Sequence, residues 1–264
     1  MKLSIVTPTY NRENLLKRLY ISLLNQSCLD FEWIIVDDGS TDSTSILVKN
    51  FISDSSLDIK YINKENGGKH TAVNLGIKVS SGEYIFVVDS DDWLPHNSIE
   101  LILIKIGLIQ KDINYEKIAG ICGLKSLKTG LVGNAIENEG FYNYLDFRYK
   151  YKIKGDKAEI FKRHIYLKNL FPEFLGEKFC PEALVINRIS KKYDMYFFNE
   201  IIYFCEYQND GLSSKIYTIR KNSPKATLIY YYELFRSHIP IYYKIRALIN
   251  YLRFFIVKKS SGGK

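Results

Sequence analysis

The feature that most constrains the fold is a run of five apolar, β-favouring residues, Tyr84–Val88, that ends in three carboxylates. Such a run is typical of a strand buried on both faces, as in the middle of a parallel sheet. The carboxylates belong to Asp89, Asp91 and Asp92, with Ser90 between the first two. They repel one another and are costly to remove from water, so the sequence predicts a cation beside them. Oxygen ligands favour Mg²⁺ or Mn²⁺, although the same residues could form a solvated turn that caps the next helix.

Strand and helix patterns alternate over the first 105 residues. Strands are predicted at Leu3–Thr7, Trp33–Val36, Ile59–Ile62 and Tyr84–Val88. Helices are predicted at Arg12–Gln26 with Asn11 as cap, from Thr41 or Asp42 to Phe51, at Lys69–Val79 and at His96–Ile109. This alternation predicts an α/β fold, in which a mostly parallel sheet is flanked by helices. Because parallel strands end at one edge of their sheet, we expect Thr9, Tyr10, Asp38 and Asp91 to converge there.

The patterns are weaker in the second half of the chain. Residues 111–155 show mixed charge and many aromatic side chains without a clear period. Pro181–Ile189 is predicted as a helix with proline in its first turn. Tyr193–Phe198 and Ile201–Tyr207 are predicted as a β-hairpin joined by Asn199-Glu200.

The net charge of +8 is concentrated near the end of the chain. Residues 211–264 contain 11 Lys and Arg and one acid, Glu233, whereas the preceding 210 residues contain 26 basic and 28 acidic side chains. A nearly neutral body argues against a nucleic-acid binder, and a basic tail favours an anionic surface. The tail also carries an apolar stripe at helical spacing: Ile241, Ile245, Leu248, Leu252 and Phe255. We expect amphipathic helices over residues 224–259 that rest on the inner leaflet of the membrane, with Tyr230, Tyr231, Tyr232, Tyr242 and Tyr243 as interfacial aromatics. The alternative is that the stripe packs against the body or a second subunit.

Cysteine spacing and hydropathy indicate the compartment. Cys28, Cys122, Cys180 and Cys205 form no Cys-x-x-Cys pair, which favours free thiols in a reducing compartment. The N-terminal apolar run is too short for a signal peptide, and no segment approaches the length of a transmembrane helix. The expected location is therefore cytoplasmic, peripheral at the inner membrane face.

Four segments, taken together and in this order, resemble the family 2 glycosyltransferases of the GT-A fold. They are Ser4–Arg12, Ile35–Asp42, Asn66–Gly76 and Val88–Asp92. Further segments resemble the members that act in bacterial surface-polysaccharide synthesis: Phe171–Phe179, Pro181-Glu182, Glu206-Tyr207 and Asp210–Ser213. The likeness becomes weak after Ser214.

The resemblance implies a nucleotide site at the carboxyl edge of the sheet. Asp38 would accept the imide N–H of uracil, the alternative being a cap for the turn Ser40–Thr44. Tyr10 would offer its face to the base, and Pro8 and Thr9 would shape the pocket. Gly67 and Gly68 would let the backbone approach the nucleotide closely. Lys69 would contact phosphate, unless it is simply a solvated lysine.

The resemblance also implies the metal and catalytic groups. Asp91 would ligate Mn²⁺ or Mg²⁺ directly, while Asp89 would contact the ribose or a metal-bound water, and Ser90 belongs to the same nucleotide site. Asp92 would orient the donor sugar or cap the following helix. Glu182 would be the catalytic base, with Glu177 as its competitor, because the chain has Pro181-Glu182-Ala183 where the family commonly has Glu-Asp.

The sequence therefore predicts an inverting, metal-dependent glycosyltransferase that moves one sugar from a nucleotide-diphosphate donor, most simply a UDP-sugar. The acceptor would be a saccharide or a lipid-linked molecule, and a homodimer is compatible with the sequence. We expect a nucleotide-sugar-binding half at residues 1–110, an acceptor and catalytic-base half of the same domain at 111–212, and a basic helical tail at 213–264. GDP- and dTDP-sugars stay open as donors. The rival functions are a sugar-1-phosphate nucleotidyltransferase and a non-catalytic partner subunit of a membrane-associated transferase.

Overall fold

The computed structural model of the protein describes residues 2–206 and 216–261. Nine strands within those ranges form one sheet: β1 Leu3–Thr9, β2 Phe31–Asp37, β3 Asp58–Asn63, β4 Tyr84–Val87, β5 Ile118–Leu127, β6 Gly130–Leu131, β7 Gly140–Tyr142, β8 Lys157–Lys162 and β9 Asp194–Phe204. The helices are α1 Glu13–Leu24, α2 Thr44–Asp54, α3 Lys69–Val79, α4 Ser98–Ile109, α5 Arg163–Leu167, α6 Glu182–Ser190, α7 Ile216–Asn222, α8 Pro224–Arg236 and α9 Ile241–Ser261. A 3₁₀ turn at Tyr115–Lys117 and a π-helix at Asp146–Lys150 complete the described elements.

The strand order is β3-β2-β1-β4-β8-β5-β9-β7, with β6 paired to β5. The first four strands are parallel, as the alternating pattern predicts, and β8 joins both β4 and β5 in antiparallel register. β1 and β2 are buried along their whole length because helices cover both faces of the sheet. Two apolar clusters result, one on each face, and α1, α2 and α4 pack on the face opposite to that covered by α3 and α6.

The predicted hairpin at residues 193–207 is wrong within the part that the structure describes. Residues 194–204 form one strand, β9, which runs parallel to β5 from the pair Ile118–Asp194 to the pair Ser126–Phe204. Asn199 and Glu200 lie at a shift of register between β5 and β9 and make a bulge rather than a turn. The Asn199 side chain holds this bulge by accepting a hydrogen bond from Ile136 N at 3.1 Å and donating one to Ile136 O at 2.9 Å. Short polar residues suit a bulge as well as a turn, so the local sequence does not separate the two.

The predicted cap of the first helix is also wrong. Arg12 is the N-cap of α1, and Asn11 precedes it with a φ of 51°. The Asn11 side chain instead accepts a hydrogen bond from Thr41 N at 2.8 Å, which joins the β1–α1 loop to the β2–α2 loop. Glu13 strengthens the same junction by accepting from Ser43 N at 2.7 Å.

The tail forms helices α7, α8 and α9, and it is fixed to the body. Arg188 of α6 makes a bidentate ion pair with Glu233 of α8, with Nη2 2.6 Å from Oε1 and Nε 3.1 Å from Oε2. Tyr230 and Tyr231 are buried, so their predicted place at a membrane interface is wrong, whereas Tyr232 and Tyr242 are exposed. The members of the apolar stripe of α9 are 38–71% exposed, so the described part of the body does not bury this stripe. Among the described helices, none combines the length and the apolar character needed to cross a bilayer.

Candidate active site

Three carboxylates lie together where β4 ends, as the sequence predicts. One oxygen from each of Asp89, Asp91 and Asp92 lies within 4.8 Å of the others, a spacing that a single divalent cation can bridge. Burial and the neighbouring Asp89 raise the pKa of Asp91. Burial and Asp89 also raise the pKa of Asp92, to about 7. Both carboxyl groups would be stabilised as anions by a cation, so the donor set fits Mg²⁺ or Mn²⁺.

The three carboxylates differ in what else they contact. Asp92 is buried, and its oxygens accept hydrogen bonds from Tyr203 Oη at 2.7 Å and from Glu206 N at 3.3 Å. Asp92 does not cap the next helix, because α4 begins at Ser98 with Asn97 as its N-cap. Asp89 faces Lys69, and Asp91 therefore stays our prediction for the direct ligand of the metal.

Lys69 joins this cluster to the candidate base. Its Nζ lies 2.6 Å from Asp89 Oδ1 and 2.6 Å from Glu182 Oε1. Burial disfavours the ammonium, but the two carboxylates outweigh it and raise the pKa of Lys69 well above its usual value. Burial likewise opposes ionisation of Asp89, yet Lys69 and Lys125 hold the pKa of Asp89 below its usual range. Lys69 is thus a permanently charged bridge and not a solvated lysine.

Glu182 is placed by a helix start. It is the first residue of α6, after Pro181 as N-cap, and its side chain is 62% exposed. A carboxylate at this position is favoured by the helix dipole and remains open to an acceptor molecule. The structure therefore brings Glu182 next to the acidic cluster, although Glu182 follows Asp91 by 91 positions in the sequence.

Glu177, the competing base, has a structural role instead. It is buried, and its two oxygens accept hydrogen bonds from Lys225 N at 2.8 Å and Ala226 N at 3.0 Å. These are backbone groups in the first turn of α8, which have no partner inside the helix. Glu177 therefore caps α8, and both of its oxygens are occupied.

Asp38 lies at the end of β2 in a well-defined anion site. Its Oδ1 accepts from Lys64 Nζ at 2.7 Å and from Gly67 N at 2.9 Å, and its Oδ2 accepts from Gly68 N at 2.7 Å. Oδ2 keeps a lone pair for one more donor, such as an imide N–H. Asp38 does not cap the turn that follows, because Asp37 Oδ1 accepts the hydrogen bond from Ser40 N at 2.8 Å.

Gly68 is required by close packing within the chain. It has a φ of +94°, and a Cβ at this position would lie 2.0 Å from Lys178 O. Its conformation aims two consecutive N–H groups at Asp38 and places Lys69 at the start of α3. The glycine is therefore explained by the approach of residue 178, in addition to any approach of a nucleotide.

The end of β1 lies beside Asp38. Asp38 N donates to Thr9 O at 2.8 Å, and Pro8 pairs in register with Val36 of β2. Thr9 Oγ1 is buried and has no hydrogen-bond partner among the described residues. Tyr10 is 47% exposed, while Ser90 is buried between the aspartates. The predicted residues thus meet at one edge of the sheet.

Several charged groups of the site are not evident from the sequence. Lys64 pairs with Asp38. Lys125 of β5 lies with its Nζ 3.9 Å from the centre of the Tyr203 ring, and it lines a cavity together with Lys69, Asp89 and Glu182. Arg18 of α1 donates to the carbonyl of Asp91. These residues come from separate elements and follow no local motif, so only the folded chain reveals them.

The fold is that of the GT-A class. The chain is similar to Staphylococcus aureus TarS, residues 1–349, solved in complex with UDP-GlcNAc, with a TM-score of 0.70, 22% identity, and coverage of 96% of this chain and 72% of that one. It is also similar to the mannosyltransferase PcManGT of Pyrobaculum calidifontis, solved with GDP-Man and Mn²⁺, with a TM-score of 0.59, 16% identity, and coverage of 100% and 76%.

The family follows from the sequence comparisons. The chain belongs to glycosyl transferase family 2, whose model matches residues 4–156. It is 30% identical over 183 residues to the GalNAc(5)-diNAcBac-PP-undecaprenol β-1,3-glucosyltransferase of Campylobacter jejuni, covering 67% of this chain and 57% of that protein. It is 34% identical over 191 residues to the glycosyltransferase GlyG of Streptococcus pneumoniae, covering 72% of this chain and 49% of that protein. The chain thus spans about half the length of these two relatives.

Proposed function

We propose that this protein transfers a single sugar, with inversion, from a UDP-sugar to a saccharide or lipid-linked acceptor in cell-surface polysaccharide synthesis. The observation that carries the proposal is the ion pair chain from Asp89 through Lys69 to Glu182, with 2.6 Å on each side. It brings together a carboxylate cluster that fits a divalent metal and the exposed carboxylate of Glu182. Transfer from a nucleotide sugar needs both, because a leaving diphosphate and an acceptor proton must be handled together.

The donor would bind along the edge of the sheet. In this proposal Asp38 and Tyr10 hold the uracil ring, Pro8, Thr9 and Gly68 shape its pocket, and Asp89, Ser90 and Lys69 face the ribose and diphosphate. Asp91, with Asp89, would hold Mn²⁺ or Mg²⁺, which when bound offsets the charge of the leaving diphosphate. Asp92, fixed by Tyr203, would orient the donor sugar.

The transfer itself is a single displacement. The acceptor hydroxyl oxygen forms a bond to the anomeric carbon while its proton passes to Glu182. The bond between that carbon and the phosphate oxygen breaks, and its electron pair leaves with UDP. The Lys69 ammonium, which lies 2.6 Å from both Glu182 and Asp89, would keep positive charge beside both the base and the diphosphate.

The acceptor and the location belong to the same proposal. The name of the Campylobacter relative describes an acceptor that is linked to the lipid undecaprenol. A comparable acceptor for this chain would place the enzyme in the cytoplasm, peripheral at the inner membrane face. The division into residues 1–110, 111–212 and 213–264 would then separate donor binding, acceptor binding with the base, and attachment.

Titration calorimetry of UDP with and without Mn²⁺ tests the donor site. We expect binding that strengthens with Mn²⁺ in the natural protein and loses this dependence in Asp91→Ala, with the melting temperature kept. Screening UDP-sugars for slow hydrolysis then identifies the donor. Metal-independent UDP binding, or sugar transfer by Asp91→Ala at the natural rate in the presence of EDTA, would contradict the metal assignment. Absence of UDP binding would favour a non-catalytic partner subunit.

A further inference from the structure

The outer face of α9 is apolar and exposed. The helix packs on α8 through its other face, where Ala247 and Phe254 are buried. The exposed apolar side chains of α9 include Ile241, Tyr242, Ile245, Leu248, Ile249 and Leu252. At 100° per residue these side chains lie on one side of the helix and form a continuous apolar surface. A continuous exposed apolar surface is typical of an interaction site.

Basic side chains border this face on both sides. α9 contains five Lys and Arg and no acidic residue. At 100° per residue, Lys244 lies at one edge of the apolar face, and Arg246 and Arg253 lie at the other edge. An apolar face between two cationic edges is the pattern of helices that lie in the interface of an anionic bilayer. A second copy of the chain would instead bring two sets of five like charges together, which charge repulsion disfavours.

A cavity of about 270 Å³ lies between the π-helix and α7, α8 and α9, on the side of α9 that packs on α8, and it borders the outer face at Arg246. Its polar lining includes Arg220, Arg246, Tyr149, Tyr230, Tyr231 and Tyr243. None of the described lining residues is acidic, and Arg220 Nε is buried with no hydrogen-bond partner among the described residues. Burial raises the pKa of both Tyr149 and Tyr230, and the two phenols hydrogen-bond each other, so the pair stays protonated and keeps one O–H to donate.

We propose that this cavity binds the phosphate of an anionic phospholipid while the outer face of α9 enters the headgroup region of the bilayer. Guanidinium and phenol donors match phosphate oxygens, and Arg246 belongs to both the cavity and the basic edge. The inference rests on the proposed location at the inner membrane face. Because Glu177 and Arg188 tie α8 to the segment that carries Glu182, docking α9 would also fix the orientation of the active site.

Flotation with phospholipid vesicles tests the apolar face. The full chain should float with vesicles of phosphatidylcholine and phosphatidylglycerol, and not with phosphatidylcholine alone. Ile249→Glu should abolish flotation, whereas Ile46→Glu should not, since Ile249 and Ile46 are 60% and 61% exposed on different helices. Both variants should retain UDP-sugar hydrolysis, which separates loss of docking from failure of the proposed reaction.

A second pair of variants tests the cavity. One basic side chain near an anionic surface strengthens binding about fivefold, so Arg253→Met, on the basic edge but outside the cavity lining, should weaken vesicle binding by about that factor. Arg246→Met removes the same charge together with a phosphate partner, and we expect a loss at least ten times that of Arg253→Met. Soluble glycerol phosphate should compete with vesicles for the natural protein if the cavity recognises the headgroup phosphate.

Four results would overturn the proposal. The first is no flotation with anionic vesicles at low salt, and the second is equal loss in Ile249→Glu and Ile46→Glu. The third is an equal loss of vesicle binding in Arg246→Met and Arg253→Met, or no competition by glycerol phosphate. Either outcome would mean that surface charge alone binds the vesicles and that the cavity is not a phosphate site. The fourth is a dimer that Ile249→Glu converts to a monomer with flotation unchanged, which would assign the face to a second copy.

Discussion

Replacing Glu182 by glutamine should separate catalysis from donor binding. Glutamine keeps the shape of the side chain and removes its charge and basicity. Because Glu182 is 62% exposed and contacts Lys69, the change should alter the free energy of unfolding by no more than about 0.5 kcal/mol, as for other surface positions. Loss of a general base lowers the rate about 10²–10⁴-fold, which raises the activation free energy by about 3–5 kcal/mol.

The assay measures both steps on the same preparation. UDP affinity, measured by calorimetry, should stay within about threefold of the natural protein, a change of about 0.6 kcal/mol. Sugar transfer, measured as UDP release that depends on acceptor, should fall at least about 10²-fold. UDP affinity should be kept because Lys69 still pairs with Asp89 in the variant, so the donor side of the site keeps this ion pair.

Glu177→Gln is the matched control. Both Glu177 oxygens accept backbone N–H groups of α8, and glutamine offers one oxygen and one NH₂. One N–H then loses its acceptor, which should cost about 1–3 kcal/mol and lower the melting temperature by about 2–12 °C. The folded variant should still transfer sugar. Normal transfer by Glu182→Gln together with loss of transfer in Glu177→Gln would refute the assignment of the base.

Two further changes test the packing at Gly68 and the buried carboxylate of Glu32. Gly68→Ala would place a Cβ 2.0 Å from Lys178 O at a φ of +94°, so the melting temperature and UDP affinity should both fall, with strain of about 1–3 kcal/mol or more. In the control Gly107→Ala the Cβ would meet no atom within 4 Å, so this variant should be neutral or slightly stabilising, and equal effects of the two changes would contradict the packing argument. Burial would raise the pKa of Glu32, but hydrogen bonds from Lys60, Ser4 and Ser81 lower it to about 2. Because the folded pKa lies below the unfolded one, the stabilisation from Glu32 is present above pH 4.5 and is lost as the pH falls toward 2. Glu32→Gln should therefore flatten this part of a urea-unfolding profile against pH, and an unchanged profile would show that Glu32 makes no such contribution.

The local sequence determines much of the donor half. Strand patterns of four or five residues and helical periods predict β1–β4 and α1–α4, because each element buries a face that its own sequence marks. The carboxylates at the end of β4 and the glycines before α3 are also visible as motifs. Their meeting at one edge follows from the parallel order of the strands, which the alternation implies. The assignments of Asp38, Asp91 and Glu182 came from family resemblance, and their roles stay predictions.

The tertiary structure decides what depends on contacts between distant segments. It shows that Glu177 caps α8, a role that no pattern around residue 177 indicates, since its partners are 48 and 49 residues away. It shows one strand where the sequence predicts a hairpin. Residues 194–204 pair in parallel with β5 on both sides of the bulge, and this pairing outweighs a two-residue turn signal. It also buries Tyr230 and Tyr231 while leaving the α9 stripe exposed, since α8 and α9 pack on each other. An amphipathic period in the sequence predicts that one face of a helix is apolar. Which face is buried depends on the helix that packs against it.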